Sequence, residues 1–409
     1  MRKYKVGVIG AGSRSYGWIR DCLSKMPNVE VTTLCDTRQE RLQEITARME
    51  KENNIFIPHH LNDYHQVIAS DEVEVVMVFS AWSNHIDAAI EAMRAGKPVA
   101  IEVGGAYNVD QCWQLVHTWE QTQTPFMMLE NCCYGETEMT VMHMVRQGLF
   151  GEIVHCAGGY CHDLREEIAG MGTGGKYRAT EYLNRNCENY PTHEVGPIAK
   201  LLDINNGNRF VSLVSVASKS AGMHEYLKDK DHPLKDAKFA QGDVFTTIIK
   251  CAGGETVTLT LDTTLPRYYS RDFTVRGTKG MYEERTNSVF LDDPHHAMEF
   301  DWKGKGQWDN MAKEYMEQHR HPLWKKYREE GLQGGHGGMD GLVMTAFFDA
   351  LEKGLPMPVD VYDTATWMAI TALSEQSVAL GSAPVAFPDF TGGKWMIKKP
   401  PVDSPYNLL

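Results

Sequence analysis

The sequence predicts an α/β chain: a doubly wound parallel sheet over residues 1–130, then an α+β domain with a mostly antiparallel sheet over 131–409. Three observations carry this. Short apolar runs alternate with helical patterns as far as Glu130, which is the order of parallel strands joined by crossover helices. The second half carries strands of alternating character, and Gly253-Gly254 between two of them marks a hairpin. At 409 residues the chain is also too long for one ordinary core.

The first element is an apolar strand at Tyr4–Ile9. It runs into Gly10-Ala11-Gly12-Ser13-Arg14 and then a helical pattern through Trp18, Ile19 and Leu23. Gly10 allows the turn, Gly12 lets the backbone approach phosphates, and the free N–H groups of the helix face an anion. This is the Rossmann arrangement for a dinucleotide. The usual third glycine is displaced to Gly17. The next strand, Val29–Cys35, ends in Asp36, an acid placed to meet the two hydroxyls of an adenosine ribose. Asp36 would repel a 2′-phosphate, so NAD is favoured over NADP, and Arg38 leaves NADP open.

A charged helix over 38–52, a strand at 55–57 and a short helix over 65–68 come next. Strands follow at 73–79, 99–102 and 125–130, with helices over 86–95 and 109–121 between them. Ligands of such sheets lie at the carboxyl ends of the strands. That puts Trp82, Ser83, Asn84, His85, Glu102, Val103 and Asn131 beside the cofactor. Beyond Asn131, a helix spans 136–148. Strands are predicted at 153–160, 210–218, 243–251, 256–262 and 273–276. Residues 172–189 read as a glycine-rich loop over a site, 339–355 and 360–380 as closing helices, and 400 onward as a tail.

The net charge is −13 and no basic patch stands out, so nucleic acid and anionic membranes are poor partners. No apolar run is long enough to span a bilayer. Met1-Arg2-Lys3 leads at once into a strand, which argues against a signal peptide, although a trimmed export signal stays open. The nine cysteines are odd in number and lack a Cys-x-x-Cys pair. They read as reduced thiols in a cytoplasmic compartment.

Tyr190 and His193 are three apart at a helix start and share a face. A histidine there can take an alcohol proton; the bland alternative is a capped helix start with a satisfied histidine. Tyr160 and His162 alternate on one strand and point the same way. His295-His296 could attract a metal, but no third ligand is placed by spacing, so no metal is expected. His336, within a run of glycines, is explained almost as well by a flexible helix start.

Gly96-Lys97-Pro98-Val99 leading to Glu102, together with the glycine turn, resembles the Gfo/Idh/MocA oxidoreductases. Most of these carry Glu-Lys-Pro at the last motif, where this chain has Glu102-Val103-Gly104. The longer words resemble a branch of that superfamily, the NAD-dependent glycosidases of glycoside hydrolase family 109. They are Trp82-Ser83-Asn84-His85, Glu130-Asn131-Cys132-Cys133-Tyr134, Gly158-Gly159-Tyr160-Cys161-His162-Asp163, Tyr190-Pro191-Thr192-His193 and Gly335-His336-Gly337-Gly338-Met339-Asp340. The resemblance implies α-N-acetylgalactosaminides as substrates. It implies a tightly held NAD, recycled each turnover and contacted by Ser13, Arg14, Asp36, the 82–85 loop, Glu102, Val103 and Asn131. It implies a sugar site from Tyr160, His162, Arg178, Tyr190, Thr192, His193 and Tyr269. His193 would take the 3-hydroxyl proton and Tyr190 the C2 hydrogen, with Tyr269 assisting, in an oxidation–elimination route without the usual carboxylate pair. A homo-oligomer is a further expectation. A plain sugar or inositol dehydrogenase and a non-catalytic NAD- or sugar-binding protein are the alternatives. The chain departs from the pattern in a shorter loop before Arg178 and in Tyr177 where a tryptophan is commoner.

Overall fold

The computed structural model describes residues 3–170, 177–292, 311–332 and 334–408. Six strands form the first sheet: β1 (Tyr4–Ile9), β2 (Val29–Cys35), β3 (His59–Leu61), β4 (Val75–Val78), β5 (Val99–Ile101) and β6 (Phe126–Met128). Their order is β3-β2-β1-β4-β5-β6, all parallel. Helices α1 (Ser13–Asp21), α2 (Gln39–Asn53), α3 (Tyr64–Ala69), α4 (His85–Arg94) and α5 (Val109–Thr122) connect them. The chain leaves β1 toward β2 on one side and returns as β4 on the other. That reversal opens a crevice at the carboxyl ends of β1 and β4. The predicted strand at 55–57 is displaced to β3. Ile57 turns into the core while Phe56 is 72% exposed, and the residues that pair with β2 are the polar His59 and His60 and a single apolar one, Leu61. An edge strand of that composition carries no apolar signature.

The second sheet is mixed, as expected mostly antiparallel. Its strands are β7 (Ile153–Cys161), β8 (Phe210–Ala217), β9 (Val244–Cys251), β10 (Thr256–Asp262), β11 (Thr274–Gly277), β12 (Gly280–Glu283), β13 (Ser288–Leu291) and β14 (Val385–Ala386). The order is β13-β12-β11-β7-β10-β9-β8-β14, with β7 and β10 parallel. Gly254, at φ +109, turns the β9–β10 hairpin. The short strands β12, β13 and β14 carry too few residues for a readable alternation, and sequence reasoning missed them.

Helices α6 (Glu136–Arg146), α7 (Arg165–Ile168), α8 (Tyr177–Asn184), α9 (Thr192–Leu201), α10 (Gly222–Leu227), α11 (Met311–His319), α12 (Pro322–Glu330), α13 (Met339–Lys353) and α14 (Val361–Ala379) complete the described chain. The loop expected at 172–189 is replaced in part by α8, whose Tyr182 is buried. Residues 171–176 and the His295-His296 pair lie outside the described residues. A capping box from Asp360 and Asp363 starts α14. This helix is apolar on nearly every side because it is wedged between α5 and β6 of the first half and β8 and α9 of the second. The expected tail is a strap: the Tyr134 hydroxyl donates to the Tyr406 carbonyl at 2.9 Å and Arg146 to that of Leu408 at 2.9 Å. All nine cysteines are free and buried. No helix among the described residues is long and apolar enough to cross a membrane.

Candidate active site

The crevice has a cofactor end and an aromatic end. Gly10 sits at φ +103, and a Cβ there would lie 2.7 Å from the backbone of Phe79 and Ser80, so only glycine lets β1 turn beside β4. Gly12 starts α1 without a side-chain cap, and a Cβ built on it would meet nothing within 4 Å. The helix N-terminus therefore opens onto free space beside a glycine, which fits a pyrophosphate. Asp36 accepts from the Ala11 N–H at 3.0 Å and the Arg38 N–H at 2.9 Å, tying the turn to the end of β2. The exposed Arg38 lies 3.7 Å from the Asp36 carboxylate, so its charge is paired with that acid.

Arg14 lies within a charge network. Its Nε donates to Glu102 Oε1 at 2.5 Å, and its two Nη atoms donate to Asp340 at 2.7 and 3.1 Å. Trp18 Nε1 and the Val103 N–H also donate to Glu102, at 2.6 and 3.0 Å. Asn131 Nδ2 donates to Asp340 Oδ1 at 2.7 Å, and His336 Nδ1 stands 2.9 Å from Oδ2. Burial alone would raise the pKa of both carboxyls. For Glu102 the Arg14 charge and its hydrogen bonds outweigh that and lower it. For Asp340 the His336 and Arg14 contacts hold it well below the usual carboxylate range. Sequence reasoning missed Trp18 and gave Asp340 no role; the only signal was the long word that ends in Asp340.

The 82–85 segment is a helical turn leading into α4, with Ser83 exposed and Trp82 buried. His85 departs from its expected place. Its ring is buried, with Nε2 2.9 Å from the Ser80 carbonyl and Nδ1 3.1 Å from that of Gly104. It pins the loop instead of facing the cleft, and burial pushes its pKa down.

At the aromatic end, Tyr190 and His193 lie together, but Tyr190 precedes the Pro191 cap of α9, so the expected shared helix face is replaced by a contact across the helix start. Tyr190 Oη is 3.5 Å from His193 Nε2, and His193 Nδ1 is 2.7 Å from Glu130 Oε1. Tyr160 stacks on Tyr190 at 4.3 Å and meets the His193 ring edge-on at 5.7 Å. The Arg178 guanidinium lies 5.0 Å from the Tyr190 ring centre and 5.3 Å from that of Trp82, and it forms an ion pair with Glu167. Tyr177 packs edge-on against Trp82 at 5.2 Å. His162 links Tyr160 to Tyr269, which is 48% exposed at the rim. Thr192 is not brought to the cleft: it is buried and lines a small cavity with Trp82, Gly104, Tyr107 and Met368.

The electrostatics of the pair run against its bulk-water chemistry. Burial disfavours charge on His193, yet Cys132, Glu130 and Tyr190 outweigh it and raise the pKa well above 6.5. Burial pushes Tyr190 up, opposed by His193 and Arg178. Two carboxyls that the sequence did not single out, Glu188 and Glu194, lie buried on either side of the pair. Burial raises the pKa of both, Glu188 to about 8.

Residues 4–129 match the oxidoreductase family with an NAD-binding Rossmann fold, and residues 134–397 match the C-terminal domain of glycosyl hydrolase 109. A glycosyl hydrolase family 109 protein from Solibacter usitatus is 38% identical, over 97% of this chain and 90% of its own length. An α-N-acetylgalactosaminidase from Tannerella forsythia is 36% identical, over 97% and 88%. Among solved structures, levoglucosan dehydrogenase in complex with NADH and levoglucosan superposes with a TM-score of 0.68 at 16% identity, covering 95% of this chain and 100% of its own. Scyllo-inositol dehydrogenase from Lactobacillus casei, with bound NAD(H), gives 0.65 at 12%, covering 94% and 99%. These two share the fold. The chain belongs to glycosyl hydrolase family 109 and carries that family's NAD-binding Rossmann domain.

Proposed function

We propose that this glycosidase hydrolyses α-N-acetylgalactosaminides by transient oxidation at sugar C3, elimination across C1–C2, hydration and re-reduction. The observation that carries this is the Tyr190–His193 pair, 3.5 Å apart and backed by Glu130, at the end of the crevice that the glycine turn opens. The relative from Tannerella forsythia supports the choice of sugar.

NAD, when bound, supplies reversible hydride acceptance at C3. The chain's own residues move the protons. His193 Nε2 takes the 3-hydroxyl proton, with Glu130 on Nδ1 orienting the ring and balancing its charge. The C3 ketone acidifies the C2 hydrogen, and Tyr190 removes it as phenolate. Burial raises the Tyr190 pKa, and the neighbouring imidazolium and the Arg178 guanidinium offset part of that cost. Tyr269 at the rim orients the sugar or its leaving group. The C1 substituent departs without an oxocarbenium ion, so no exposed carboxylate pair is required. Gly10, Gly12, Ser13 and Asp36 would hold the cofactor, which would need no replacement between turnovers because oxidation and re-reduction of the sugar cancel.

Incubation of purified protein, without added cofactor, with 4-nitrophenyl α-N-acetylgalactosaminide in deuterated buffer tests this. Nitrophenol release with deuterium at C2 of the freed sugar is the expected result. Release without deuterium would overturn the mechanism. No release, with NADH formed from added NAD and free sugars, would make the chain a dehydrogenase.

A further inference from the structure

Beside the Tyr190–His193 pair lies a group of donors that the proposed reaction does not use in full. One ligand atom each of Glu130, Cys132 and His193 lies within 4.8 Å of the other two. Glu130 is fully buried. Its Oε1 takes the His193 ring and the Cys132 N–H, at 2.7 and 3.1 Å, while its Oε2 has no hydrogen-bond partner. A buried carboxylate oxygen without a donor is costly, and it calls for something positive. Cys132 is 2% exposed, and its Sγ accepts from Arg271 Nη1 at 3.6 Å. The charge of Arg271 is itself taken up by Glu138.

We propose that Glu130, Cys132 and His193 bind a divalent cation of borderline softness, with zinc as the type, and that the bound cation disables His193 as a base. A carboxylate oxygen, a thiolate sulfur and an imidazole nitrogen form a zinc donor set. Thiolate and carboxylate together would cancel the 2+ charge. Tetrahedral coordination asks the donor atoms to approach to roughly 3.5 Å, a movement on the order of 1 Å. The fourth position faces the cleft, where the His193 side chain is 15% exposed. On binding at Nδ1, the metal displaces the proton shared with Glu130 and any proton on the thiol. The neutral ring then keeps one proton, on Nε2, and has no lone pair left for the sugar hydroxyl. The hydrogen bond between Glu130 and His193 alone leaves Oε2 unexplained.

Titration of the purified, NAD-loaded protein with Co2+ tests the site by absorption. A near-ultraviolet thiolate-to-cobalt band is expected to saturate at one equivalent and to be displaced by Zn2+. Cys132→Ser should lose the band and bind at least about tenfold more weakly, while Cys133→Ser keeps both. Circular dichroism melting establishes that each variant is folded. No band in the wild-type protein, or a band that survives in Cys132→Ser, would overturn the proposal. This readout stands apart from the glycosidase reading. Loss of nitrophenol release in step with Zn2+ occupancy tests the disabling of His193. Full turnover with zinc bound would refute that half.

Discussion

The two ends of the crevice share one short turn, Asn131–Tyr134, and treat charge in opposite ways. On the cofactor side, Asn131 reaches Asp340, and Arg14, Glu102, Trp18 and His336 close around it with their charges matched. On the aromatic side, Glu130 Oε2 and His162 Nδ1 are buried without partners, and the surroundings raise the pKa of both His193 and Tyr190. The difference teaches where to look for chemistry. A satisfied network holds elements in place, whereas unmet polar groups and displaced proton affinities mark where a ligand is to be met. Arg14 and Glu102 were expected as cofactor contacts; the structure first makes them a brace between α1, the end of β5 and the start of α13.

Four changes would sharpen or break this contrast. The largest effect belongs to His193→Ala, which should cut glycoside turnover by about 10³-fold while bound NAD is retained. Turnover within tenfold of wild type would move the chemistry elsewhere. Asp340→Asn comes next. It leaves Arg14 short of a buried partner and should cost about 3 kcal/mol in urea unfolding of the cofactor-free protein. An unchanged midpoint would mean that the network braces nothing.

The third change is in pH. A base whose pKa is raised becomes competent only as pH climbs past that raised value. The acid limb of kcat/KM should therefore lie above 6.5, the ordinary histidine value, and Glu130→Gln should move it down. A limb at or below 6.5 in the wild-type enzyme would contradict the role given to Glu130 and Cys132. The smallest effect is Gly104→Ala. At φ +78, with a Cβ 2.7 Å from Trp82 Nε1, it should cost about 1 kcal/mol by thermal melting and shift Trp82 fluorescence. Unaltered melting and fluorescence would show that the Trp82 wall yields freely.

Local patterns carried the first half of the chain because its signals are local. A buried parallel strand is a short apolar run, a glycine turn needs its glycines in a row, and an acid ends the next strand. The strand at His59–Leu61 escaped because an edge strand needs no apolar face. The helix at Tyr177–Asn184 was hidden in a polar, glycine-rich stretch. Tyr190 and His193 were close enough in sequence to be read together, although only His193 lies on the helix. Glu130 and Cys132 stood only inside a longer family word, with nothing to show that either meets His193.

By itself, then, the sequence determined the parallel sheet, the glycine turn at Gly10 and Gly12, and Asp36 at the end of β2. Each depends on residues a few positions apart, where backbone geometry alone sets the outcome. Tertiary structure decided the rest: that Asp340 closes on Arg14 and Asn131, 326 and 209 residues away in the chain, that His85 turns inward, and that Glu130 stands behind His193. Such pairings have no period to read. They exist because folding removes these charges from water, and a charge removed from water must find whichever partner the packing brings to it.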